Sequence, residues 1–206
     1  KKSAFLLLEW VHGEKTQKTE SLLGERLAKM HATKNEKHGF QEDTYIGILP
    51  QPNELFTNWV EYYRHKRIQA QFDVGRKQNL IYGKREQKLE KIIIDLDKWI
   101  PENVSASLLH GDLWGGNWIC GDQGIPYLID PSILYGDRHF ELAFTELFGG
   151  FSTEFYDAYQ EAYPIAAYYD DVKRLYQLYY LLVHLNLFGE MYGNQVDSIL
   201  DYYIGG

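Results

Sequence analysis

One segment in the middle of the chain concentrates residue types that can move protons and hold a cation. His110, Asp112 and Asn117 belong to the run H-G-D-L-W-G-G-N, and Asp130 stands thirteen residues beyond Asn117. A suitably placed aspartate can accept a proton from a hydroxyl group. Asparagine and aspartate oxygens, together with phosphate and water oxygens, are the ligands that Mg²⁺ prefers. The set therefore favours a metal-assisted reaction at a hydroxyl group.

The spacing of these residues matches a pattern that serves phosphoryl transfer. In protein kinases, H-R-D-x-x-x-x-N supplies an aspartate that receives the acceptor's proton and an asparagine that binds Mg²⁺, and a later aspartate also binds the metal. Asp112 and Asn117 have the same D-x-x-x-x-N spacing. We therefore predict a site for ATP and Mg²⁺ with Asp112 as the catalytic residue. Asn117 and Asp130 are the predicted metal ligands, and His110 is predicted to orient the loop without doing chemistry.

Each of these residues has a simpler explanation when it is taken alone. Asp112 could cap a helix, Asn117 could sit in a turn, and an aspartate before proline commonly starts one. His110 could be a packed core histidine, and Trp114 could belong to the core or stack on a sugar as a substrate contact. The conjunction of types and spacings favours the catalytic interpretation. No G-x-x-x-x-G-K-[ST], G-x-G-x-x-G, G-x-S-x-G or H-E-x-x-H motif competes with it.

Short elements must position these side chains. Trp118–Cys120 and residues 127–129, joined by Gly-Asp-Gln-Gly, are predicted to form a β-hairpin that brings Asn117 and Asp130 side by side. An apolar run predicts a buried strand over residues 5–10, and Gly and Pro punctuation predicts a long loop over 33–55. Helical periodicity predicts helices over 19–32 (with Thr19 as N-cap), 55–72, 84–99, 139–148, 152–162, 170–189 and 195–204. The predicted fold class is α+β, mostly helical, with a small embedded β-hairpin.

Composition narrows the classes of partner. The chain has 206 residues, of which 45% are hydrophobic, and a net charge of −8, so a nucleic-acid partner is not expected. Cys120 is the single cysteine, which excludes an internal disulfide. The sequence shows neither an apolar stretch long enough to span a membrane nor a signal peptide. We predict a cytoplasmic protein without a membrane partner, and its oligomeric state stays open.

The H-G-D-L-W-G-G-N run resembles the catalytic loop of the fructosamine (ketosamine) kinases, which belong with the aminoglycoside-phosphotransferase-like kinases. The remaining similar segments extend over nearly the whole chain: 8–11 (hinge strand), 24–31 (the following helix), 45–47 and 50–53 (substrate-lobe loop), 130–131 and 135–143 (metal-binding loop and the helix after it). The resemblance implies the C-terminal lobe of a protein-kinase-like fold. Residues 1–13 would be a hinge strand from an N-terminal lobe that is missing here, and residues 14–206 the catalytic and substrate lobe.

The same resemblance implies the activity. The enzyme would transfer the γ-phosphate of ATP to a sugar hydroxyl of a ketoamine, either a small molecule or a glycated lysine, and so take part in deglycation. Backbone groups at Glu9 and Val11 would bind the adenine edge. The family's glycine-rich loop and phosphate-binding lysine are not found in this sequence, so the chain alone is expected to be a poor kinase.

Two alternatives stay open. Another small-molecule kinase of the same fold would phosphorylate an aminoglycoside, choline or a homoserine-like hydroxyl. A pseudokinase would be a folded module that binds a partner and does no chemistry. Intact Asp112, Asn117 and Asp130 argue against a pseudokinase, and a panel of acceptors would separate the kinases.

Overall fold

The computed structural model describes residues 6–205 as a mostly helical domain with short strands. The α-helices are α1 (Thr19–Ala32), α2 (Trp59–Tyr62), α3 (Gln69–Lys77), α4 (Gly83–Asp95), α5 (Arg138–Leu147), α6 (Thr153–Ala162), α7 (Tyr169–Phe188) and α8 (Gly193–Ile204). The strands are β1 (Lys34–Asn35), β2 (Thr44–Ile46), β3 (Leu49–Gln51), β4 (Ala106–Leu109), β5 (Trp118–Cys120), β6 (Pro126–Leu128) and β7 (Leu134–Gly136). Within residues 6–205, we find no helix with the length and apolar character needed to cross a membrane.

The strands form three small antiparallel sheets. β4 lies between β1 and β7, β2 pairs with β3, and β5 pairs with β6. In the β5–β6 hairpin, Trp118 lies opposite Leu128 and Cys120 opposite Pro126. The predicted hairpin is confirmed, with its second strand one residue earlier than expected.

An aromatic cluster fills the centre of the domain around α7. The Trp59 ring stacks on Tyr63, and its indole nitrogen donates to the Tyr176 hydroxyl at 2.9 Å. Phe144 of α5 stacks on Tyr180 of α7 with 3.7 Å between the ring centroids. Large rings bury much apolar area, and a buried tyrosine hydroxyl needs a partner. The high tyrosine content therefore serves packing between helices.

A helix is confirmed in each predicted range, and two of these helices differ from the prediction at their N-terminal ends. Thr19 is not the N-cap of α1, because Lys18 occupies that position and the Thr19 hydroxyl instead accepts from the Thr16 backbone N–H at 2.9 Å. The second helix begins at Trp59 rather than residue 55, since Asn58 caps it through the Glu61 backbone N–H at 3.1 Å. A π-helical turn over Tyr63–Ile68 joins α2 to α3.

Two segments differ from the sequence-based expectation. The strand predicted over residues 5–10 is wrong for residues 6–10, which form no strand and are exposed, Leu7 to 96% and Trp10 to 88%. These residues find no strand partner in the described chain, and Phe5 lies outside the described residues. The loop predicted over 33–55 is partly wrong, since it contains β1 and the β2–β3 hairpin.

We expect Gly24→Ala to destabilise the domain. A Cβ at Gly24 on α1 would lie 2.2 Å from the backbone oxygen of Phe155 on α6, so the two helices would have to separate. Overpacking of this kind costs about 1–3 kcal/mol. Urea denaturation would measure the loss, with Glu25→Ala as the control at the next, exposed position of α1. Equal stability of the two variants would contradict this close packing.

His38 makes stability depend on pH. It is buried against Trp59, and burial lowers its pKa from 6.5 to about 4. The unfolded chain therefore protonates His38 below about pH 6.5, whereas the folded chain protonates it only below about pH 4. The contribution of His38 to the free energy of unfolding is complete above about pH 6.5 and is lost as the pH falls toward about 4. We expect His38→Gln to reduce the difference in unfolding free energy between pH 8 and pH 5 by about 1 kcal/mol, after allowance for solvent screening. Urea denaturation at both pH values checks this, and an unchanged difference would contradict it.

Candidate active site

The loop of residues 110–117 lies between β4 and β5 and packs directly on the segment around Ser132. The Ser132 backbone N–H donates to the His110 carbonyl at 2.8 Å. Gly111 has a φ of +85°, and a Cβ there would lie 1.9 Å from the Ser132 carbonyl oxygen. Only glycine combines this φ with so close an approach. The Gly in H-G-D is therefore required by the contact with the segment that follows Asp130.

A buried carboxylate on α5 anchors the loop of residues 110–117. Glu141 of α5 accepts the backbone N–H groups of His110 at 3.1 Å and Gly111 at 2.5 Å. Burial alone would raise the pKa of Glu141, but hydrogen bonds from His31 and the Gly111 backbone N–H lower it overall. The charged carboxylate thus satisfies two loop N–H groups that would otherwise be buried without partners.

Glu141 is itself held by a chain of hydrogen bonds from α1 and α6. Arg138 donates to the Tyr159 hydroxyl at 3.0 Å, Tyr159 lies 2.7 Å from His31 Nδ1, and His31 Nε2 lies 2.8 Å from Glu141. Burial lowers the pKa of His31, so its ring is neutral and donates from Nε2 to the carboxylate. Three helices therefore meet at the loop anchor.

His110 connects the two ends of the site. Its Nε2 lies 2.8 Å from the Ile129 carbonyl, which can only accept, so this nitrogen carries the proton. Its Nδ1 then accepts from the Asp112 backbone N–H at 3.3 Å. The ring thus links Asp112 to the residue before Asp130.

Asp112 and Asn117 are in direct contact. The Asn117 side-chain nitrogen donates to the Asp112 carbonyl at 2.8 Å and to its carboxylate at 3.2 Å. Burial raises the pKa of Asp112 to about 7. The hydrogen bond from Asn117 lowers this pKa, whereas the negative charges of Glu141 and Asp130 raise it. Because the amide nitrogen faces Asp112, the Asn117 amide oxygen is left without a hydrogen bond from residues 6–205.

The β5–β6 hairpin brings Asp130 back toward Asn117. The Ile129 backbone N–H donates to the Asn117 carbonyl at 3.0 Å, which closes the hairpin one residue before Asp130. Asp130 is exposed and has a φ of +52°, in the left-handed region that non-glycine residues seldom occupy. Such strain is frequent at functional sites.

Gln51 ties the β2–β3 hairpin to the Asp130 segment. Its amide nitrogen donates to the Ser132 hydroxyl at 2.7 Å, and its amide oxygen accepts from the Tyr179 hydroxyl at 2.6 Å. The Ser132 hydroxyl donates in turn to the Tyr45 carbonyl at 2.7 Å. The segment after Asp130 is therefore fixed to both the hairpin and α7.

A cavity of about 820 Å³ opens over these groups. Four of the predicted site residues line it, namely Asp112, Trp114, Asn117 and Asp130. Trp114 is 45% exposed, so it is not a core residue. The other residues that line the cavity come from the β2–β3 hairpin, the segment after Asp130, α5 and the residue after it, α7 and the turn after α7: Tyr45, Ile46, Gly47, Pro131, Phe144, Phe148, Val183, His184, Leu187, Phe188 and Tyr192.

The remaining predicted residues lie outside this cavity. His110 is buried beneath it. Glu9 is exposed, and Val11 lies against the β5–β6 turn, with its Cγ1 3.0 Å from the position a Cβ would take on Gly121. Glu141 lies within the segment 135–143 that resembles the family, but the sequence does not identify it as the residue that anchors the loop.

The donor set suits a hard cation. Asp112, Asn117 and Asp130 line the same cavity, and side-chain oxygen donors with open positions for water and phosphate are what Mg²⁺ takes. Within residues 6–205 there is no cluster of three or more His, Cys, Asp or Glu side chains that could hold a metal alone. Any cation here would therefore need ligands beyond these side chains, as phosphate oxygens would provide.

Comparison with known proteins places this chain in a family. The family described as fructosamine kinase matches residues 1–205. A Lactiplantibacillus plantarum protein named "Probable ketoamine kinase" is 42% identical over 201 residues, covering 97% of this chain and 71% of its own length. Ketosamine-3-kinase of Mus musculus is 38% identical over 194 residues, covering 86% of this chain and 61% of its own length.

Solved structures agree with the sequence relatives. A crystal structure from Thermobifida fusca, described provisionally as a fructosamine-3-kinase, superposes with a TM-score of 0.86 at 31% identity, covering 93% of this chain and 67% of that one. Choline kinase from Streptococcus pneumoniae shares the kinase-like fold, with a TM-score of 0.60 at 16% identity over 90% of this chain and 64% of that one. The family match over residues 1–205 and the 42% identity to the Lactiplantibacillus plantarum protein show that this chain belongs to the fructosamine kinase family.

Proposed function

We propose that the complete protein is an ATP- and Mg²⁺-dependent kinase that phosphorylates a sugar hydroxyl of ketoamines. The observation that carries the proposal is the meeting of Asp112, Asn117 and Asp130 at one cavity, with the Asn117 amide oxygen free. Acceptors would be small-molecule ketoamines or glycated lysine, and a cytoplasmic location is part of the same proposal. Phosphorylation of these adducts would serve deglycation.

Asp112 is the proposed catalytic residue. Its carboxylate lines the cavity, and a pKa of about 7 lies close to neutral pH, where a general base is most effective. Phosphoryl transfer depends mostly on positioning and charge stabilisation. Asp112 would orient the acceptor hydroxyl and take its proton late in the reaction, while His110 and Glu141 hold the loop in place.

Asn117 and Asp130 are the proposed metal ligands. Asn117 would offer its free amide oxygen and Asp130 a carboxylate oxygen at the end of the hairpin. When bound, Mg²⁺ would neutralise charge on the β- and γ-phosphates. The left-handed backbone at Asp130 would direct its carboxylate toward this position.

The remaining parts of the proposal concern the lobe and the substrate. Residues 14–206 would be the C-terminal lobe, and the exposed run Leu6–Trp10 would join it to an N-terminal lobe, with adenine bound at the backbone of Glu9 and Val11. Leu6, Leu7 and Trp10 are exposed, and exposed apolar side chains in one run support the proposal that another part of the protein covers this segment. Trp114, half exposed at the cavity, would contact the sugar.

Asp112→Asn should reduce turnover by about 10²–10⁴-fold, because the general base is lost while the hydrogen bond from Asn117 can persist. The measurement is Mg²⁺-dependent ATP consumption by the complete protein with fructose-lysine and ribulose-lysine, beside an aminoglycoside panel. Asp157→Asn, an exposed position on α6, is the matched control. Turnover of aminoglycosides but not ketoamines would favour the alternative kinase, and no turnover with any acceptor despite intact ATP binding would favour a different small-molecule acceptor. Loss of ATP binding as well would favour a pseudokinase.

Asp130→Asn should raise the Mg²⁺ concentration for half-maximal activity by about tenfold or more, because a charged ligand becomes neutral. Asparagine tolerates the left-handed backbone, so the fold is preserved. A Mg²⁺ titration of ATP turnover makes the measurement. Asp122→Asn, exposed in the hairpin turn, is the control, and an unchanged Mg²⁺ requirement at position 130 would exclude Asp130 as a ligand.

A further inference from the structure

One part of the cavity wall is aromatic and carries a single basic group. Phe148 follows α5, His184 and Phe188 belong to α7, and Tyr192 lies in the turn before α8. Their rings surround the imidazole, with centroid distances from His184 of 4.6 Å to Phe148, 5.0 Å to Tyr192 and 5.6 Å to Phe188. The mechanism proposed above uses none of these residues.

The protonation of His184 follows from its backbone contact. His184 Nδ1 lies 2.7 Å from the Tyr180 carbonyl oxygen, which can only accept, so Nδ1 carries a proton. Burial lowers the pKa of His184, which keeps the ring neutral near pH 7. Nε2 therefore carries a lone pair, and no hydrogen bond reaches it from residues 6–205. The half-buried ring lines the cavity and presents an acceptor there.

The charges of the cavity favour a cation. Its lining residues include the carboxylates of Asp112 and Asp130 and, within the described part of the chain, no lysine or arginine. Aromatic faces attract a cation within about 6 Å of the ring centroid. A neutral imidazole nitrogen among such rings is suited to an ammonium N–H.

The size of the cavity allows two groups to bind together. Its volume of about 820 Å³ lies toward the upper end of the roughly 300–1,000 Å³ typical of small-molecule sites. A sugar positioned at Asp112 would leave room for the substituent it carries. Alkylamines such as that of lysine are protonated at neutral pH.

We propose that His184 Nε2 accepts a hydrogen bond from the protonated secondary amine of the acceptor, inside a ring of Phe148, Phe188 and Tyr192. The inference rests on the proposed function, because it names the part of a ketoamine that this wall recognises. His184 is then a binding residue that selects amine-bearing sugars over neutral ones. The aromatic rings hold the first carbons of the amine's substituent.

The test compares two acceptors that differ in one atom. The first is a ketoamine of fructose with an alkylamine, and the second is the ether of fructose with the same alkyl chain, which has neither the charge nor the N–H. The quantity measured is the ratio of kcat/KM for the amine to that for the ether, in the complete protein with Mg²⁺ and ATP. Hydrogen bonds to charged groups are worth about 1.5–3 kcal/mol, which corresponds to roughly 10–150-fold in this ratio.

Three variants separate binding from packing. His184→Phe keeps a ring of similar shape but has no acceptor, and it should lower the amine-to-ether ratio about tenfold or more. His184→Gln offers an amide oxygen near the position of Nε2 and should recover most of the ratio. His65→Phe, an exposed position in the π-helical turn, is the control and should leave the ratio unchanged. Thermal melting of each variant confirms that it folds.

The outcomes distinguish this inference from the proposed function. Wild-type turnover of the ketoamine with an equal ratio in His184→Phe would overturn the role of His184 and leave the kinase assignment intact. If the wild-type protein phosphorylates neither acceptor, the assignment as a ketoamine kinase fails. Calorimetric binding of the two acceptors to the wild type and His184→Phe then tests the amine site directly, and equal affinities would overturn it.

Discussion

The site depends on one buried carboxylate that holds the loop of residues 110–117 by its backbone. Glu141 accepts the N–H groups of both His110 and Gly111, and His31 donates to it from another helix. In a low-dielectric interior such charge-assisted bonds are strong, but they are costly if one partner is lost. The position of Asp112 is thereby set by the packing of α1, α5 and α6 rather than by the loop's own conformational preference.

The residues that are proposed to act, and that are recognised by side-chain type and short spacing, could be predicted from the sequence. The D-x-x-x-x-N spacing, the hairpin after it and most helices follow local rules of pattern and turn chemistry. Glu141 could not be predicted as the anchor, because its partners are backbone groups thirty and more residues away. The prediction of a buried strand was wrong for residues 6–10. Apolar character predicts burial, but it does not specify the partner, and residues 6–205 provide no strand that pairs with this run.

The cavity combines a polar part built on loops with an apolar part built on helices. The polar part requires Gly111 and the strained Asp130, whereas the apolar part lies on α5, α7 and the turn that follows α7. Gln51 and Ser132 join these parts, since they connect the β2–β3 hairpin, the segment after Asp130 and Tyr179 of α7. Movement of the hairpin wall would therefore be transmitted to the proposed metal ligand.

The contact at Gly111 also bears on how such a loop can be controlled. Protein kinases have arginine at the corresponding place in H-R-D, and ordering of an activation loop by phosphorylation works through new pairs between arginine and phosphate. Here the Ser132 carbonyl occupies the space that any side chain at position 111 would need. This position therefore offers no guanidinium to a phosphate, and Glu141 holds the loop instead through the backbone N–H groups of His110 and Gly111.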